Sequence, residues 1–280
     1  MPFKKAISGI LLAVSLTLLL SACSIERQIG RKYIARADST SFLVLFPAEV
    51  FVVNKKNENS DGSFLFSEAQ KDTSLFRNSE LLPFLNDESI IKPFKESFVQ
   101  ELSNYGFRVY DTTQMDQFMA IQYHSRVLNV AQIELQEYFT SYEDAVTVDD
   151  QVYTKVIYLN GINIGSWFEI SPINEVEKAK IPVLFATHDL TDRWNGYFVQ
   201  RFLTGEIEYR LEIDSLQPDD VRNFAAYLGR LYAAYTFDYM LNREIKSKTP
   251  IQDQTDAFYR YDPYQKRLFV TETDKFIELE

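Results

Sequence analysis

The chain has 280 residues, 46% of them hydrophobic and 25% charged, which supplies a packed core and excludes global disorder. Forty acids against 29 basic residues give a formal net charge of −11, which argues against a basic footprint for nucleic acid. A single cysteine, Cys23, excludes an internal disulfide.

At the N-terminus, Lys4 and Lys5 precede an apolar run from Ala6 to Leu20, and the small residues Ser21 and Ala22 lead to Cys23. Basic, apolar and small segments in that order read as a secretory signal, with an apolar run short for a bilayer span. Leu20-Ser21-Ala22-Cys23 resembles the lipobox of bacterial lipoproteins. The resemblance implies cleavage before Cys23, a diacylglyceryl thioether on its sulfur and an acylated amine. Several acyl chains make a stable anchor where one is marginal, at about 0.8 kcal/mol per buried methylene. Loss of residues 1–22 removes Lys4 and Lys5 and no acid, leaving 27 basic residues against 40 acids and a net charge of −13.

By resemblance to enterobacterial lipoproteins, Ser24 in place of an aspartate after the anchor argues against inner-membrane retention. The expected location is therefore the outer membrane, with the facing side open. Residues 23–41 read as a lipidated tether whose Arg27, Arg31, Lys32 and Arg36 suit anionic headgroups, or equally as a plain solvated linker. Residues 42–280 read as a single domain.

Phe42 to Val53 is a nearly unbroken apolar run and reads as one buried strand, bent or edge-placed at Pro47. Phe64-Leu65-Phe66 starts a short strand. Ile91, Phe94, Phe98, Leu102 and Tyr105 at helical spacing predict a helix over about 91–105, ended by Gly106 and followed by a strand at Phe107–Tyr110. Phe118 to Val130 reads as one long strand that runs on to Phe139. Val152–Leu159, Asn160-Gly161 and Ile162–Ile170 read as a hairpin, because Asn-Gly suits a type I′ turn. Pro182–Ala186 and Tyr197–Leu203 are further strands. Glu206 to Ile213 alternates, with Ile207, Tyr209, Leu211 and Ile213 expected inward.

Pro218, Asp219 and Asp220 open a second helix, over about 218–245, with an apolar stripe from Val221 to Tyr239. A last hairpin joins Phe258–Tyr261 to Arg267–Thr273. The expected fold class is α+β: a mainly antiparallel sheet built of hairpins and covered by two principal helices.

Candidate chemistry is sparse. His124 and His188 are the two histidines, so a transition-metal site is not expected, and no cofactor motif is present. His188 beside Asp189, with Ser166 or Ser171 upstream, lacks a Gly-x-Ser-x-Gly elbow, and neighbours on a strand point apart. Glu143, Asp144, Asp149 and Asp150 lack the spacing of a calcium loop and read as solvated. His188, Asp189, Asp192, Arg193 and Trp194 form the densest polar-aromatic group and are the candidate ligand-binding residues; no catalytic residue is assigned.

These features lead to the expectation of a non-catalytic envelope lipoprotein. It is held to the membrane by Cys23 and binds or scaffolds an envelope protein partner. A surface glycan-binding lipoprotein using Trp167, Trp194 and exposed tyrosines is one alternative. A hydrolase with an unrecognised carboxylate site is the other.

Overall fold

The computed structural model describes residues 25–57, 62–121, 124–173, 181–271 and 273–279; the signal segment, Cys23, Ser24 and Tyr123 lie outside them. Its N-terminal half contains α1 (Ile25–Ile34), β1 (Ser41–Leu45), β2 (Phe51–Asn54), β3 (Phe64–Leu65), α2 (Phe66–Ala69), α3 (Asp87–Asn104), β4 (Arg108–Tyr110), α4 (Met115–Met119) and β5 (Ser125–Val148). There follow β6 (Gln151–Pro172), β7 (Val183–Thr191), β8 (Arg193–Gln200), β9 (Ile207–Asp214), α5 (Pro218–Lys248), β10 (Tyr259–Asp262), β11 (Arg267–Val270) and β12 (Ile277–Leu279).

The fold is α+β. An eight-stranded sheet runs β12-β7-β6-β5-β1-β4, with β2 and β3 continuing beyond β1 along β5. Most pairings are antiparallel, but β1 lies parallel to both β4 and β5, and β2 lies parallel to β5. β5 is the spine, antiparallel to β6 over its whole length with one irregularity between Val130 and Gln132.

Helices α3 and α5 cover one face. Asn86 caps α3 reciprocally with Ser89: its Oδ1 accepts the Ser89 amide at 2.8 Å, and its own amide donates to Ser89 Oγ at 2.9 Å. Pro218 opens α5, with Asp219 and Asp220 in its first turn and Lys246 and Lys248 in its last, so charge opposes the helix dipole at both ends. Between helices and sheet, Phe94, Phe98, Phe168, Tyr232 and Phe276 form a continuous ring cluster. The small helix α4 brings Phe118, fully buried, to within 5.7 Å of the Tyr110 ring.

Residues 25–34, part of the segment read from sequence as a tether, form a helix folded onto the domain. Glu26 accepts from the Thr255 amide and hydroxyl and from the Tyr259 hydroxyl, and Gly30 sits against Leu241, Ile245 and Leu268. Arg36 pairs with Glu244 at 2.6 Å.

Several local expectations are corrected. The run 42–53 is two strands: the chain leaves the sheet around Pro47, which lacks an amide for the ladder, and rejoins β5 farther along. The expected strand from Phe118 begins only at Ser125, because Met115–Met119 is helical, and His124 precedes the strand in a left-handed conformation (φ 56°).

The hairpin at Asn160-Gly161 does not exist. Both residues lie inside the continuous β6, and Gly161 is there because the Tyr138 ring lies over it: a Cβ would sit 2.6 Å from that ring. The turn lies eleven residues earlier, at Asp149 and Asp150, with φ of 48° and 61° as a type I′ turn requires. β7 and β8 also begin differently from their expected spans, at Val183 and Arg193.

Candidate functional site

β5 and β6 outrun the rest of the sheet. β2 covers β5 only as far as Glu137, and β7 covers β6 only from Gly161 onward. Tyr138–Val148 and Gln151–Asn160 therefore pair only with each other, as a two-stranded arm extending roughly 35 Å at 3.4 Å per residue.

The two faces of the arm differ. Tyr142, Ile157 and Leu159 share one face, and the β8–β9 hairpin packs on it. Trp194 lies 4.8 Å from the Tyr142 ring, and Tyr209 Oη donates to Asp144 Oδ2 at 2.8 Å. Ile157 and Leu159 are buried beneath this contact. The alternation of β9 is thus real, but its apolar face meets the arm instead of the main core. Leu211 and Ile213 remain exposed, against the expected inward placement.

The opposite face continues the core-facing side of the sheet past the reach of the helices. Phe139, Val152, Val156 and Tyr158 stand on it at 53%, 66%, 43% and 69% exposure. Lys56 lies over the Phe139 ring at 4.2 Å. Phe202 and Leu203, also exposed, follow β8 in its connection to β9. Apart from isolated residues, large apolar groups in water mark an interaction surface when they are contiguous.

The five candidate ligand-binding residues do not share a pocket. His188 faces the helices: its Nδ1 is 3.0 Å from Tyr232 Oη and its Nε2 is 3.4 Å from Tyr235 Oη. Asp189, next along the strand, faces the other way and accepts from Tyr138 Oη at 2.8 Å and Asn163 Nδ2 at 3.0 Å. Asp192 is buried, accepting the Asn160 amide at 2.7 Å and the Leu216 amide at 2.8 Å. Arg193 is exposed opposite Asp214, and Trp194 belongs to the arm contact. What joins Asp192 and Trp194 is support of the arm.

Trp167 packs against Phe185 with ring centroids 4.7 Å apart. Among the described residues, no three of His, Cys, Asp and Glu are grouped to hold a metal, and no helix is long and apolar enough to cross a membrane. The acidic group read as solvated is divided between the arm turn, Asp149 and Asp150, and the Asp144 contact to Tyr209.

Sequence reading missed Phe139, Val152, Val156 and Tyr158 as a surface. Their signal was present as period-two alternation, but the Asn-Gly pair placed the turn in the wrong position. No protein-family model, curated protein or solved structure matches this chain.

Proposed function

We propose that this protein is a lipid-anchored scaffold of the bacterial cell envelope, held through Cys23, expected at the outer membrane, and binding an envelope protein with its arm. The observation that carries the reading is the uncovered apolar strip Phe139–Val152–Val156–Tyr158 on a hairpin buttressed from its other face. Its outer edges have no further strand on them among the described residues, so a partner can add a strand as well as cover the face. Unpaired edges invite aggregation unless charged, and Glu143, Asp144 and Lys155 supply charge here.

The test is site-specific photo-crosslinking in cells, with a photoreactive residue at Val152 or Tyr158 and, as control, at Lys266 in the β10–β11 turn. A discrete adduct with one envelope protein from both arm positions, absent from the control, supports the reading. Adducts with lipid or with the protein itself alone would overturn it.

A further inference from the structure

Where the end of α1, the starts of β1 and β5, and the last turns of α5 meet, the protein has a cleft of about 320 Å³. Arg36, Arg126, Arg243 and Lys248 line it, drawn from three separated stretches of an acidic chain, with Glu244 as the opposing carboxylate. Glu244 Oε1 lies 2.6 Å from both Arg36 Nη2 and Lys248 Nζ, so it fixes two cations while cancelling one charge. The four basic side chains and Glu244 together leave the lining at a net charge of +3.

A second, independent feature is Tyr33, which lines the same cleft. The residue is only 7% exposed, its ring lies 5.7 Å from that of Phe237, and its hydroxyl has no hydrogen-bond partner among the described residues. Buried hydroxyls are almost always hydrogen-bonded. Burial pushes this phenol up, with Arg126 and Arg36 pulling the other way, so at neutral pH it is a protonated donor. The guanidinium forks and the ammonium line the cleft, and the Tyr33 hydroxyl is a buried donor in its wall, a set matched by an oxyanion with several acceptor atoms.

We infer that this cleft binds a phosphate group. A carboxylate brings one charge and two acceptors, whereas a phosphomonoester brings nearly two charges and three acceptors to a lining of +3. The volume lies at the small end of the range for ligand sites, suiting a phosphate with a small substituent. That phosphate is either a lipid headgroup or a soluble ester. The inference is independent of the arm and of its partner.

The experiment uses the full-length lipoprotein in neutral detergent, in two arms. Calorimetric titration with inorganic phosphate and glycerol 3-phosphate reads the soluble source. Native mass spectrometry comparing retained phosphatidic acid with phosphatidylcholine reads the lipid source. Tyr33→Phe keeps the ring, and Arg243→Gln changes an exposed side chain; each is expected to weaken binding about tenfold, the scale of one hydrogen bond to a charged group. Their thermal unfolding serves as the folding control. Variant-sensitive binding of the soluble esters, or variant-sensitive retention of phosphatidic acid over phosphatidylcholine, supports the site and names its source. No phosphate preference in either arm, or binding that both variants leave unchanged, overturns it.

Discussion

Asp192 illustrates how one side chain can act as a joint. It is 7% exposed, and its two oxygens accept the amides of Asn160, at the base of the arm, and Leu216, just before α5. His188 sits at a comparable join, between β7 and α5 through Tyr232 and Tyr235. Burial lowers its pKa, and the nearby Asp274 and Asp189 only partly oppose that. The folded state therefore resists a proton that the unfolded chain takes near pH 6.5. This contribution to stability is fully present above pH 6.5 and is lost as pH falls from there toward the depressed folded pKa. Denaturant midpoints at pH 7.5 and 5.5 should fall more in the wild type than in His188→Gln; equal falls would show an imidazole that titrates freely.

At the scale of elements, close approaches decide where glycine is needed. Gly229 in α5 faces α3 so tightly that a Cβ would lie 2.3 Å from the Phe94 carbonyl oxygen and 3.1 Å from the Phe98 nitrogen. In an open helix, Gly→Ala is favourable by up to about 1 kcal/mol. Here backbone has to move, and overpacking of this kind costs about 1–3 kcal/mol. Gly229→Ala is therefore expected to destabilise the protein, which urea unfolding would register as a lower midpoint; a higher midpoint would mean that the helices separate freely. Gly161 has the same logic within a sheet, with the Tyr138 ring in place of a helix backbone.

At the scale of the molecule, β5 connects two ends with different chemistry. Arg126 lines the basic cleft near its start and Val148 adjoins the arm turn, about 75 Å apart along the strand at 3.4 Å per residue. α1 begins at Ile25, two residues after Cys23, and reaches the cleft through Tyr33 within a helix about 15 Å long. Anchoring at Cys23 would thus hold the cleft near the membrane and leave the arm free to reach away. Leu128 and Leu135 pair on both sides, whereas residues 141–148 pair only with β6. Amide exchange along β5 should therefore be at least about tenfold faster in 141–148 than around Leu128 and Leu135, because one-sided ladders open locally. Uniform protection would mean that the arm is as firmly held as the core.

The sequence by itself determined the α+β class, the two covering helices and the final hairpin, because strong local patterns carry them: the apolar stripe after Pro218, the i, i+3, i+4 spacing from Ile91, and the break at Asp262-Pro263. It did not reveal that Asn160-Gly161 lies inside a strand. A glycine that admits an aromatic ring across a sheet looks, along the chain, the same as a glycine that makes a turn. Nor did it separate His188 from Asp189, which adjacent positions on a strand send to opposite faces, or gather Tyr33, Arg126 and Arg243 into one cleft from three distant segments. Local propensity and periodicity act over a few residues and are written along the chain. Which face is covered, which ring crosses a glycine and which charges converge depend on contacts between distant segments, and only the tertiary fold makes those.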